Sequence, residues 1–188
     1  NFQDGSTNID QAVTNSATTS QIQVAPAGNL ANAAHIMNLE NISETAQTVS
    51  LSTDNLDWHE YRMFNITFTW RGSQSDVEMG IRDEEGVLNT FQSPYSEFSI
   101  GDMKFQSWHD VSDRGTSMVM VYASLPQGGI LPEQVWDMEI KGSESIEKVR
   151  GVVLDDRSGW GQGVSWITHV SDNGSALSPA TADTVIAV

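Results

Sequence analysis

Over a long central stretch of the chain, apolar side chains recur at every second position. Phe64, Ile66, Phe68 and Trp70 alternate with Asn65, Thr67 and Thr69, and Val77, Met79 and Ile81 alternate with Glu78, Gly80 and Arg82. Met118, Met120 and Tyr122 share one face of a further run. Trp136, Met138 and Ile140 alternate with Asp137 and Glu139, and Val149, Gly151 and Val153 begin another. A period of two places one face of a strand in a core and leaves the other wet. Turn chemistry separates the runs: Asp83-Glu84-Glu85-Gly86, Ser112-Asp113-Arg114-Gly115 and Gln127-Gly128-Gly129. Short alternating strands between such turns predict an antiparallel β-sandwich of the jelly-roll kind over 34–172.

The pattern changes at both ends. Asp4-Gly5-Ser6-Thr7 offers helix N-caps, and Ile9, Ala12, Val13 and Ala17 follow with helical spacing, which predicts a helix near 7–17. Gln21-Ile22-Gln23-Val24-Ala25 reads as a strand and ends at the small-residue turn Pro26-Ala27-Gly28-Asn29. After Asp172-Asn173-Gly174-Ser175 and Ser178-Pro179-Ala180-Thr181-Ala182-Asp183, the chain stops inside the apolar run Val185-Ile186-Ala187-Val188. A continuously apolar strand suits a parallel sheet buried on both faces. The fold class expected is therefore mainly β: α/β pieces at 1–33 and 173–188 flank a sandwich at 34–172, which is the layout of an inserted domain. Both ends have the look of cuts in a longer chain.

Composition narrows the function. Nine Lys and Arg stand against 25 Asp and Glu, a formal net charge of -16. That balance excludes nucleic acid, whose binding needs clustered cations, and anionic membrane surfaces. It suits an exported protein with a solvated acidic surface. No cysteine is present, so disulfides and thiolate metal sites are excluded. No apolar run reaches the roughly 20 residues of a membrane-spanning helix.

The flanks resemble the subtilase family of serine proteases. In that family an Asp-Gly-Ser turn opens a helix, and the following strand ends in Ala-Ala-Gly-Asn. The corresponding residues are Asp4-Gly5-Ser6 and Pro26-Ala27-Gly28-Asn29. A family segment of the type Ser-Pro-Ala-Thr-Ala leading into Val-Ile-Ala-Val is matched by Ser178-Pro179-Ala180-Thr181-Ala182 and Val185-Ile186-Ala187-Val188. The two strands are sheet neighbours in the family, joined by a short link. The long link is similar to that of the clostridial germination-type subtilases, which carry a jelly-roll insert at that place. The resemblance implies a secreted bacterial endopeptidase acting on protein or peptide substrates. Asn29 would be the oxyanion-hole donor, and Pro26, Ala27 and Gly28 one wall of the substrate pocket. The family's Asp and His precede the first matched segment and its Ser follows the last. The chain alone is therefore expected to be inactive, its partner being the remainder of the protease domain. No cofactor is required for that chemistry.

Other residues leave alternatives open. From the residues alone, Gly28-Asn29 reads first as a simple turn after a strand. Gly115-Thr116-Ser117-Met118 mimics the family's serine motif, but Ser117 opens a period-two run directly after a turn, which reads as a hairpin. Asp155-Asp156, followed by Gly159, Gly161 and Gly163, reads as a loop. His35, His59, His109 and His169 lack both the family's histidine setting and the i, i+4 spacing of a zinc helix. His35, close after the Asn29 turn, is a candidate for a place near the substrate cleft. Asp83-Glu84-Glu85 and Asp155-Asp156 are solvated acid turns or ligands for a structural calcium. Of the six tryptophans, Trp70 and Trp136 fall on core faces. Trp58, Trp108, Trp160 and Trp166 have no clear face, and an exposed Trp on a β-sandwich can stack on sugar rings, so a stand-alone module for carbohydrate or a cell-surface ligand is the rival function.

Overall fold

The computed structural model describes residues 4–17, 22–25, 33–53, 61–126, 129–156, 163–173 and 180–187. One helix, α1 (Asn8–Ser16), precedes strand β1 (Gln23–Ala25). The strands that follow are β2 (Ile36–Glu40), β3 (Gln47–Ser52), β4 (Met63–Arg71), β5 (Val77–Arg82), β6 (Leu88–Thr90) and β7 (Tyr95–Ile100). Then come β8 (Met103–Val111), β9 (Thr116–Ser124), β10 (Val135–Gly142), β11 (Lys148–Asp155), β12 (Ser165–Trp166) and β13 (Val185–Ala187).

Two antiparallel sheets stack face to face. One has the order β12-β3-β10-β5-β6, the other β2-β11-β4-β9-β8-β7. The alternation seen in sequence is what joins them. Phe64, Ile66, Phe68 and Trp70 point inward from β4, and Trp136, Met138 and Ile140 meet them from β10, all buried. Aromatic rings cross the gap. Phe105 on β8 meets Trp136 edge-on at 5.2 Å, and Phe68 meets Trp166 of β12 at 5.9 Å. The expected β-sandwich is thus observed, and Trp70, Trp136 and Trp166 belong to its core.

On β9 the expected face turns outward. Val119, Val121 and Ala123 fill the core, while Met120 is 36% exposed on the other side. Apolar residues occupy both faces of this strand, so its period alone does not choose between them. The hairpin turns form as their residues demand. Gly115 takes φ +74 and its N–H donates to Ser112 O at 3.0 Å; Gly86 takes φ +81 and donates to Asp83 O at 3.0 Å.

A third, two-stranded sheet pairs β1 with β13 in parallel: Gln23 with Val185, Val24 with Ile186, Ala25 with Ala187. The expectation of a strand buried on both faces is corrected here. Ile186 is 56% and Val24 58% exposed, because a parallel pair is covered only when further strands and helices flank it. The predicted helix forms too, yet its apolar positions are only partly covered: Ile9 is 61% exposed, Val13 is half-buried, and Asp10 is the buried residue.

Candidate functional site

The end pieces meet at a small polar junction. Thr7 caps α1, its hydroxyl accepting the Asp10 N–H at 3.1 Å and donating to Asp10 Oδ2 at 2.6 Å. Asp10 Oδ1 accepts from Thr181 Oγ1 at 2.9 Å, which ties the start of the helix to the segment leading into β13. Gln23 does the same at the other end. Its amide donates to Val13 O at 3.1 Å and Ser16 Oγ at 2.9 Å, and its oxygen accepts from Thr184 Oγ1 at 2.9 Å. A polar residue in this strand thus serves as the joint between helix and sheet.

The sandwich grips this junction through the β8–β9 turn. Ser112 Oγ donates to Asp4 Oδ2 at 2.6 Å, and Arg114 Nη1 donates to Asp4 O at 2.9 Å. The Arg114 guanidinium also forks onto Asp183, with Nη1 at 2.8 Å from Oδ1 and Nη2 at 2.5 Å from Oδ2. Gly5 permits the close fit. It has φ +77, and a Cβ there would lie 2.6 Å from Thr181 O. Burial alone would push the Asp4 carboxyl up, but hydrogen bonds from Ser112, Ser6 and Thr116 outweigh it and hold the group at about 2, from 3.8. Nothing local in the sequence announces these contacts, since Ser112 and Arg114 lie more than a hundred positions from Asp4. The exception is Thr7 with Asp10 three residues on, the spacing of a capping pair.

Pro26, Ala27, Gly28 and Asn29 lie outside the described residues, as do Ser178, Pro179 and Val188. Their described neighbour is Ala25, buried and in register with Ala187. Ser117 is fully buried inside β9, paired with Trp70, and its hydroxyl donates to Gly72 O at 2.7 Å. It is a strand residue, not an exposed nucleophile. His59 lies outside the described residues. His35 is buried, and burial pushes its pKa down from 6.5 against the pull of Asp155 and the Val164 backbone. His109 Nε2 donates to Phe91 O at 3.0 Å, and burial lowers its pKa as well. His169 sits at φ +54 with its carbonyl accepting from Asn38 N. Among the described residues, no hydrogen bond joins a histidine to a serine or a carboxylate.

The acid turns have local roles. Asp83 Oδ1 accepts from Glu85 N and Val87 N; Asp155 Oδ2 accepts from Val164 N, and Asp156 Oδ1 from Arg62 N. Among the described residues, no group of three His, Asp or Glu gathers as metal ligands. Trp58 and Trp160 lie outside the described residues. Trp108 is 37% exposed beside Tyr95, 43% exposed, with ring centroids 5.5 Å apart.

No family model matches the chain, and no curated protein matches it by sequence. Among solved structures, the Clostridium perfringens CspB protease superposes with a TM-score of 0.77 at 15% identity, over 100% of this chain and 38% of that one. The two share a fold. The likeness to CspB takes in the sandwich and the parallel pair together, because the whole of this chain is covered, while the chain spans 38% of the CspB chain.

Proposed function

We propose that the chain is a segment of a secreted bacterial subtilisin-type serine endopeptidase. Residues 1–33 and 173–188 belong to the protease core, and 34–172 are an accessory sandwich inserted between them. Asn29 supplies a side-chain N–H to the oxyanion of the tetrahedral intermediate, and Pro26-Ala27-Gly28 form one wall of the substrate pocket. An amide donor suits this task because it is polar, uncharged and aimed before the charge develops. The Asp, His and Ser of the triad lie in the remainder of the protease domain, so the isolated segment binds no complete catalytic set. The chemistry requires no cofactor.

The observation that carries this assignment is the parallel pairing of β1 with β13 across the whole intervening sandwich. Ligands of open parallel sheets bind beyond the carboxyl ends of the strands, and residues 26–29 follow the carboxyl end of β1 in sequence. The exposed Ile9, Val24 and Ile186 leave apolar surface for the rest of a protease core. The fold shared with CspB supports the same view. In a longer polypeptide that includes the triad, Asn29→Ala is expected to lower kcat by about 10²–10³ with KM nearly unchanged. An unchanged kcat would remove Asn29 from the oxyanion hole. The 188-residue chain itself is expected to show no peptidase turnover; turnover abolished by Ser117→Ala would overturn the assignment.

The exposed Tyr95–Trp108 pair favours a second reading, a module that stacks sugar rings on the outer face of the β7–β8 hairpin. Saturable glycan binding on an array, lost in Trp108→Ala, would support it over the first.

A further inference from the structure

Cations are scarce in this chain, nine in all, and four of them have carboxylate partners. Arg82, Lys104, Arg114 and Lys141 pair with Glu139, Glu97, Asp183 and Glu78. Arg71, Lys148 and Arg150 stand in no ion pair among the described residues. All three line one cleft of about 530 Å³ at the outer face of the six-stranded sheet. Strand register brings them together. Arg150 on β11 lies opposite Thr69 on β4, with Arg71 two residues beyond Thr69 and Lys148 two residues before Arg150. The same register runs Arg71 toward Lys148. Like charges so placed repel unless an anion lies between them.

Arg150 is the sharpest case. Among the described residues, its Nε and Nη2 are buried with no hydrogen-bond partner. Burial pushes its pKa down, with no carboxylate opposing the effect. A guanidinium keeps its proton at neutral pH regardless, so this is a half-buried charge with no counter-charge among the described residues. The acids of the cleft do not supply one. Asp4 is engaged by Ser112 and Ser6 and faces the Arg114 side, and Glu147 is exposed and makes no ion pair. The Asn38 oxygen, on the residue in register with Arg150, is also buried and unpartnered, but it is neutral and leaves the charge standing.

We propose that this cleft is an oxyanion site, which takes a phosphate, sulfate or carboxylate group between Arg71, Lys148 and Arg150, with Arg150 as the inner bidentate donor. The proposal is independent of the protease assignment, because all three residues lie in the sandwich.

The test is calorimetric titration of the 188-residue chain with sodium phosphate, sodium sulfate and sodium acetate at constant ionic strength, with chloride as the reference. Saturable binding at one site is expected for at least one of the three. The phosphate and sulfate arms report a tetrahedral ligand, and the acetate arm a carboxylate. Arg150→Met keeps the apolar stem and removes the charge; it should weaken binding about tenfold or more, the worth of a charge-assisted hydrogen-bond pair. Lys148→Gln, at an exposed position where folding is not at risk, should weaken it several-fold. Lys104→Gln, outside the cleft, should leave it unchanged. No saturable binding of any anion, or equal binding by wild type, Arg150→Met and Lys148→Gln, would overturn the proposal.

Discussion

Gly151 stands on the core face of β11 between Val149 and Val153, and the reason it is glycine lies on other strands. A Cβ there would come 2.9 Å from Met37 Cε, 2.9 Å from Trp166 Cζ2 and 3.2 Å from Phe68 Cε1. Gly151→Ala is expected to cost about 1–3 kcal/mol by overpacking, read as a lower denaturant midpoint at an unchanged slope. Asp4 carries a pH dependence. Its folded pKa of about 2 lies below the ordinary 3.8 of an aspartate, so its contribution is complete above about 4 and is lost as pH falls toward 2. Thermal unfolding of Asp4→Asn should show a shallower loss of stability than wild type in that window, with the two curves parallel above it. Alternation in the sequence marks position 151 as inward-facing. It does not reveal how closely Met37, Trp166 and Phe68 crowd that position, because that is a property of three chain-distant side chains.

Between elements, the Arg114–Asp183 fork is the clearest link from the sandwich to the end pieces. Both side chains are partly exposed, at 40% and 54%, so the pair is worth little to global stability. Its effect should be local. Arg114→Met is expected to raise amide exchange in α1, β1 and β13 while leaving β4, β9 and β10 protected, as measured by hydrogen–deuterium exchange. The strands themselves were legible, because β4, β5 and β10 each have one largely apolar and one largely polar face. The inward face of β9 was not, because Met118-Val119-Met120-Val121 is apolar on both sides. The helix was legible from its cap and spacing, but among the described residues its apolar stripe is only partly covered, with Ile9 61% exposed. Spacing reports which face is apolar, not what covers it.

Across the whole molecule, charge and topology set behaviour. With a net charge of -16, self-repulsion opposes the compact state, so added sodium chloride should raise the melting temperature between about 0.01 M and 0.15 M. The site was legible only through two short segments that lie at opposite ends of the chain and meet as β1 and β13. The polar junction that secures them uses Asp4, Ser112, Arg114, Thr181 and Asp183, whose partners no sequence spacing relates. The parallel pair also carries a consequence for the order of assembly. Before the sandwich forms, β1 and β13 are the ends of a long flexible loop, and bringing them together costs chain entropy for three residue pairs in return. Once the sandwich forms, its two ends lie side by side, with Met37 bridged to Val170 and Ser171 N donating to Ile36 O, and the loop is effectively short. Pulsed hydrogen exchange during refolding should therefore protect the sandwich amides first and those of β1 and β13 last. An insertion that separates two neighbouring strands in sequence then acts, in folding time, as a rigid spacer that brings them back within reach.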